Sequence, residues 1–196
     1  MTLLVLGLVL FLGTHSFSMA RGSRAALIGR IGEGPYKGLY SLLSLAGIVL
    51  VSIGYGQYRA DGYIPVWDPP VWTRHLALLL VLIAFICFVA AYLPGHIKAR
   101  LKHPMLAGVK IWALAHLIAN GDLGSILLFG SFLVWAVLAR ISAKRRDVAA
   151  QHGGTAAPAG WRNDILAVAI GVAAYLAFVF WLHPWLIGVP VLPMRA

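Results

Sequence analysis

The sequence predicts an all-α membrane protein, a polytopic helical bundle with about six transmembrane helices. Hydrophobic residues make up 61% of the 196 residues, whereas the apolar share of a soluble domain is roughly 45–50% even with glycine included. The mean hydropathy is +0.85. Apolar runs long enough for a hydrocarbon core, about 17–25 residues, recur along the chain. We therefore expect residues 1–196 to form a single transmembrane domain.

The candidate spans follow from the positions of the apolar segments, which are 3–20, 39–58, 75–93, 104–119, 123–141 and 165–187. The first has no basic residue before it, which favours a retained span over a cleaved leader. The fourth opens with Pro104, well placed at the first position of a helix. It is the shortest segment and is followed by a tight turn in which Asp122 can cap the next helix. We expect it to be either a short crossing or a hairpin that does not fully cross.

The loops alternate in charge, and this predicts the orientation of the helices. The loops after the first, third and fifth segments are basic, with Arg21, Arg24, Arg30, Lys37, Lys98, Arg100, Lys102, Lys144, Arg145, Arg146 and Arg162. The second loop holds only Arg59 and Arg74, and the fourth holds no basic residue. Basic loops stay in the cytoplasm, so both termini are expected outside, in a bacterial cytoplasmic membrane. The net charge of +10 is interpreted as a topology signal and not as a nucleic-acid surface.

Several kinds of site are excluded by residue type. The acidic residues all fall in loops or at the ends of spans: Glu33, Asp61, Asp68, Asp122, Asp147 and Asp164. The sequence therefore offers no buried carboxylate pair for acid–base chemistry and no acidic residue within a span for ion-coupled transport. Cys87 is the only cysteine, which excludes a disulfide framework and cysteine-based zinc or iron–sulfur motifs.

Two histidines inside apolar segments are the strongest candidates for a functional site. His116 lies deep in the fourth segment, with Ala113, Ala115 and Ala119 nearby. An ionisable side chain in a span must face a partner, a cavity or a cofactor. His15 lies near the end of the first segment. Imidazoles from separate helices can hold a haem from its two faces, and a simple hydrogen bond between helices is the alternative for each.

Depth in the membrane argues for a second set of histidines. With straight crossings His15 lies near the cytoplasmic side, whereas His116 lies roughly 20 Å along the fourth helix from that side. His75, His116 and His183 all fall near the predicted outer surface and form the rival metal-binding set. Of the remaining histidines, His103 is expected to be an interfacial or capping residue, and His96 and His152 are expected to be solvated.

Three stretches carry a resemblance to a known family. They are Thr14-His15-Ser16, then Tyr36-Lys37-Gly38 with the apolar run 39–45, and then His103-Pro104 with Trp112-Ala113-Leu114-Ala115-His116 and Asn120-Gly121-Asp122. Together these stretches resemble the NnrU family of bacterial membrane proteins, which is similar to the zeta-carotene isomerases of plants and cyanobacteria.

The resemblance implies a cofactor. The isomerases are haem b proteins whose iron is held by two histidines, and the matching positions in this chain are His15 and His116. In the plant isomerases a cysteine stands three residues before the second histidine, where this chain has Ala113. A cysteine-linked exchange of ligands is therefore not carried over.

Three functions follow as expectations. The first is a haem b-binding membrane protein with a role in nitric oxide or nitrite metabolism, because NnrU proteins resemble accessory factors of denitrification. The second is a haem-dependent cis–trans isomerase of a polyene such as zeta-carotene. The third is a haem-free assembly or scaffold protein for a membrane reductase. The expected partners are the lipid bilayer and either nitric oxide or a polyene, with no nucleic acid.

Overall fold

The computed structural model describes residues 1–149 and 160–192, most of which lie in helices. In chain order these are α1 (Thr2–Phe17), α2 (Arg21–Ile31), α3 (Glu33–Ala60), α4 (Val71–Ala90), α5 (His96–Leu101), α6 (Pro104–Ala119), α7 (Leu123–Ala149), α8 (Trp161–Ala177) and α9 (His183–Ile187). A π-helical turn, Phe178–Leu182, joins α8 to α9. The helical membrane bundle is confirmed, and His152 lies outside the described residues.

Within the described residues, four helices are long and apolar enough to cross a membrane: Glu33–Ala60, Val71–Ala90, Leu123–Val148 and Trp161–Ile187. The number rises to five if α1 and α2 are taken as one span, although they are bent by 88°. The first and fourth predicted spans differ most from expectation, because α1 and α6 have only 16 residues each. A helix of that length covers about 24 Å, against about 30 Å for the hydrocarbon core.

The helices pack in a definite order. α3 lies against α1, α1 against α7, α7 against α6, α6 against α4, and α4 against α8. Arg59 at the end of α3 donates a hydrogen bond of 3.0 Å to the carbonyl of Ile187 in α9. This bond links the first helix of the series to the short helix that follows α8. We call the side where α1 begins and α3 ends the Met1 end, and the opposite side the Arg21 end. α6, which carries His116, is thus held between two long helices.

Glycines let α1 and α3 approach each other closely. A Cβ atom on Gly7 would lie 2.9 Å from the carbonyl oxygen of Gly47, and one on Gly47 would lie 2.8 Å from the backbone nitrogen of Phe11. A Cβ on Gly54 would overlap the backbone of Leu4. Small residues at such contacts allow van der Waals packing between helices in lipid. The contact positions α1, and therefore His15, against α3.

The Met1 end is closed by the loop between α3 and α4. The backbone N–H groups of Val66 and Trp67 donate to the carbonyl of Gly121 at 2.8 and 3.0 Å. A Cβ on Gly121 would collide with the carbonyl oxygen of Trp67, so this turn requires glycine. Asp122 accepts a hydrogen bond of 2.9 Å from the backbone N–H of Ser125. This confirms the predicted cap at the start of α7.

Two histidine–aspartate pairs fix α5 and the start of α6 at the Arg21 end. Asp164 of α8 accepts hydrogen bonds from the backbone N–H groups of His96 and Ile97, both at 3.0 Å, and its Oδ2 lies 2.6 Å from His96 Nδ1. His103 Nε2 lies 2.9 Å from Asp147 Oδ2 in α7. His96, expected to be solvated, keeps 55% of its side chain exposed but is anchored to a buried aspartate. The first pair therefore joins the start of α5 to α8, and the second joins the start of α6 to α7.

Replacing Asp164 with alanine is expected to lower the melting temperature of the detergent-purified protein by roughly 2–4 °C. The substitution leaves two backbone N–H groups at the start of α5 without their acceptor, and such groups are costly when they are not hydrogen-bonded. Thermal unfolding followed by circular dichroism measures the change. Asp68→Ala, at an exposed position, is the matched control. Equal melting temperatures for the two variants would show that Asp164 does not anchor α5.

Candidate cofactor site

His15 is held in one orientation by its own helix and by rings from three helices. Its Nδ1 lies 2.8 Å from the carbonyl oxygen of Phe11, one turn earlier in α1. The centre of its ring lies 4.2 Å from that of Phe11 and 5.3 Å from that of Tyr40 in α3. Trp135 in α7 meets it nearly edge-on, with the ring centres 5.9 Å apart. His15 therefore lies where α1, α3 and α7 meet.

His116 has a similar arrangement in α6. Its Nδ1 lies 2.8 Å from the carbonyl oxygen of Trp112, one turn earlier. The ring stacks on Phe129 of α7 with centres 4.5 Å apart and an angle of 26° between the planes. Ala113 and Ala115, beside it in sequence, are both fully buried. The small neighbours expected from the sequence do form a close helix contact.

The hydrogen bonds assign the tautomer of both rings. A backbone carbonyl can only accept, so Nδ1 of His15 and of His116 must carry the hydrogen. In a neutral imidazole this leaves the lone pair on Nε2. Metal-bound histidines commonly donate their other N–H to a carbonyl in this way, which fixes the ring and makes the ligand nitrogen more basic. Each ring is therefore prepared to act as a ligand through Nε2.

A series of aromatic side chains connects the two histidines. From His15 it runs through Phe11 to Phe132, with ring centres 5.7 Å apart, and from Phe132 to Trp112, with centres 5.5 Å apart. Trp112 lies 5.2 Å from His116. Among the described residues, His15 and His116 are joined by this series and not by a contact of their own rings. A planar cofactor that contacted both imidazoles would have to displace part of it.

The difference in depth between the two histidines is smaller than the sequence predicts. Their ring partners on α7, Phe129 and Trp135, are six residues apart, which is about 9 Å along a helix, not 20 Å. The reason is that α1 ends at Phe17 and the chain then turns by 88°. His15 consequently contacts the middle of the 27-residue helix α7, at Trp135, and not its Arg21 end.

The three histidines of the rival outer set, His75, His116 and His183, differ in their surroundings. His183 Nδ1 lies 2.8 Å from the carbonyl oxygen of Val189, so its Nε2 also keeps the lone pair. His75, by contrast, is exposed on α4. The pairing of His116 with His15 and the pairing with His183 both stay predictions, and His116 belongs to each.

Three buried polar atoms lack a hydrogen-bond partner among the described residues: Ser44 Oγ, Trp135 Nε1 and Arg140 Nη1. Trp135 contacts His15 directly, and Ser44 lies one turn after its other neighbour, Tyr40, on the same helix face. Buried donors are rarely left unpaired, so each calls for an explanation. These donors fit a cofactor that carries acceptor groups. Sequence reasoning missed them, although a tryptophan at mid-span, away from the interfaces, is a usable signal.

A lateral groove lies between α1 and α7 beside His15. It has a volume of about 500 Å³ and is lined by Leu12, Gly13 and Ser16 of α1 and by α7 between residues 126 and 138, including Trp135. A Cβ on Gly13 or on Gly130 would meet no atom within 4 Å. Volumes of about 300–1,000 Å³ are usual for small-molecule sites. The groove is open at the surface of the bundle, where the lining residues Val134 and Leu138 are exposed.

The described residues contain no group of three or more His, Cys, Asp or Glu side chains placed to hold a metal ion. In comparisons with known proteins, residues 3–191 match the family model described as NnrU protein. No curated protein and no solved structure matched the chain.

Proposed function

Because the chain belongs to the NnrU family, we propose that it is a haem b-binding membrane protein with a role in nitric oxide or nitrite metabolism. The observation that carries this proposal is the hydrogen bonding of the two histidines in apolar helices, His15 and His116. Both bind a backbone carbonyl through Nδ1 at 2.8 Å, which leaves Nε2 free to act as a ligand.

The surroundings of the histidines support a haem over a bare metal ion. Aromatic rings lie against both imidazoles, and those between them, Phe132 and Trp112, would have to move aside for a haem held by both. The unpaired indole N–H of Trp135, whose ring lies 5.9 Å from that of His15, fits an acceptor group on such a cofactor. When bound, haem supplies an iron centre that can take a small ligand such as nitric oxide or pass an electron. The residues His15 and His116, or His183 in place of His15, would hold it.

The distribution of charge supports the proposed orientation in a bacterial cytoplasmic membrane. The basic residues of the first, third and fifth loops all lie at the Arg21 end, while the described part of the Met1 end has Arg59 and Arg74. The positive-inside rule places the Arg21 end in the cytoplasm. The Met1 end, with the loop that covers the turn at Gly121, then faces outward.

Nitric oxide binding tests the first function. Nitric oxide is added to the reduced, detergent-purified protein and the optical difference spectrum is recorded, with protein from cells grown without haem supply as the control. We expect a saturable shift of the Soret band that the control lacks. A haem-containing protein whose spectrum does not respond to nitric oxide would contradict this role.

A second candidate function is haem-dependent isomerisation of a polyene, and the lateral groove favours it. The groove lies beside His15 and opens to the lipid phase, where a long apolar substrate would be dissolved. Turnover of a cis-polyene such as zeta-carotene by the purified, reduced protein tests this function. The third expectation, a haem-free scaffold, would gain support if a His116→Ala protein still assembled the reductase while deletion of the whole chain did not.

A further inference from the structure

One face of α7 leads from the lateral groove to the Arg21 end. Leu127, Ser131, Val134 and Leu138 line the groove, and their spacing of three and four residues places them on one side of the helix. Arg145 follows Leu138 by seven residues, which is two turns, so it lies on that same side. Leu138 and Arg145 are both exposed. The apolar face that lines the groove therefore ends at an exposed cation.

The lining of the groove suits a hydrocarbon chain. Apart from Trp135 and two serines, the lining residues are aliphatic or glycine. The hydroxyl of Ser131 already donates to the carbonyl of Leu127 in its own helix, at 2.6 Å. On α7 the lining runs from residue 126 to residue 138, which is about 18 Å of helix. One leaflet contributes about 15 Å of hydrocarbon, half of the core. The groove is therefore about as long as one acyl chain of a membrane lipid.

The charge beyond the groove selects an anionic headgroup. The acidic residues at the Arg21 end already have basic partners: Glu33 with Lys37, Asp147 with His103, and Asp164 with His96. Arg145 forms no ion pair with the described residues. A long side chain in a helix leans toward the start of that helix, so the guanidinium of Arg145 extends back toward the groove. Guanidinium groups bind phosphate through two parallel hydrogen bonds.

An apolar groove that leads to an exposed arginine matches a lipid with an anionic headgroup. We infer that the groove between α1 and α7 binds one acyl chain of an anionic phospholipid from the leaflet at the Arg21 end, and that Arg145 binds its phosphate. A second copy of the chain fits less well, because its own basic end would lie at the same level in the membrane and would repel this one. A pure hydrocarbon would fill the groove but would offer Arg145 no acceptor.

A lipid titration tests both parts of this site. Delipidated protein in detergent is titrated with phosphatidylglycerol and, separately, with phosphatidylcholine that has the same acyl chains, and native mass spectrometry gives each dissociation constant. Arg145→Gln removes the partner of the headgroup. Gly130→Leu fills the groove, because a Cβ on Gly130 would meet no atom within 4 Å. The controls are Arg162→Gln, exposed at the same end but on α8, and Gly56→Leu, where the space is equally open.

We expect the wild type to bind one phosphatidylglycerol more tightly than phosphatidylcholine. Arg145→Gln should weaken phosphatidylglycerol binding about fivefold, which is the usual effect of one basic residue near an anionic lipid surface, and Arg162→Gln should weaken it less. Gly130→Leu should weaken the binding of both lipids, and Gly56→Leu should weaken neither.

Three results would overturn the inference: equal affinity of the wild type for the two lipids, equal losses in the two arginine variants, or lipid binding by Gly130→Leu as tight as that by Gly56→Leu. Particles of two chains that Gly130→Leu separates would also overturn it, because they would show that a second copy occupies the groove.

Discussion

Replacing His116 with alanine is expected to weaken haem binding by about 100-fold or more, since even the loss of a group that only orients a metal ligand costs 10–100-fold. His116 is the ligand that the two candidate pairings have in common, so no other substitution should have a larger effect on the cofactor. The measurement is the haem-to-protein ratio after purification, together with the oxidised and reduced spectra. Leu114→Ala, at a position on α6 that is 44% exposed, is the control.

The same experiment separates the two pairings. The wild-type spectrum should be that of an iron with two imidazole ligands. If His15 is the second ligand, His15→Ala should change this spectrum; if His183 is the second ligand, His183→Ala should change it instead. His75→Ala is expected to have no effect, because His75 is exposed on α4. If the His116→Ala protein had the haem content and spectrum of the wild type, both candidate ligand pairs would be excluded.

Replacing Gly54 with alanine is expected to destabilise the bundle by about 1–3 kcal/mol, as overpacking of a close contact typically does. The added methyl group would lie 2.6 and 2.7 Å from backbone atoms of Leu3 and Leu4, so α1 and α3 would have to move apart. Backbone atoms of a helix cannot rotate aside as a side chain can. The melting temperature in detergent, followed by circular dichroism, measures the effect.

Gly56→Ala is the matched control, because it makes the same change on the same helix. A Cβ on Gly56 would meet no atom within 4 Å, and replacing an exposed helical glycine with alanine gains up to about 1 kcal/mol of helix propensity. Its melting temperature should therefore stay level or rise. If both variants melted at the same temperature, the close contact between α1 and α3 would not contribute to stability.

The helices themselves were open to prediction because hydropathy and capping residues are local signals. Pro104 at the start of α6 and Asp122 at the start of α7 occupy their predicted roles. The family resemblance found from short motifs also extends over residues 3–191. Hydropathy could not show that the first apolar segment ends at Phe17, because the residues after it remain compatible with either a continued helix or a turn.

The candidate site was only partly open to prediction. His15 and His116 could be chosen because an ionisable side chain in a span is unusual. The relative depth of the two histidines could not be predicted, because it depends on how far α1 and α6 extend along α7. The unpaired hydroxyl of Ser44 could not be predicted either. A serine within a helix often bonds its own backbone, and the sequence does not show whether a given serine does so. Such features arise from packing between helices.

The optical spectrum of the wild type is the most direct test of the central proposal that this chain binds haem b. The protein is expressed with ample haem supply, purified in detergent, and recorded oxidised and reduced. We expect a Soret band with the sharp visible bands of a reduced haem held by two imidazoles, at one haem or a simple fraction of one per chain. A protein without any Soret band under these conditions would contradict the account and favour the scaffold function.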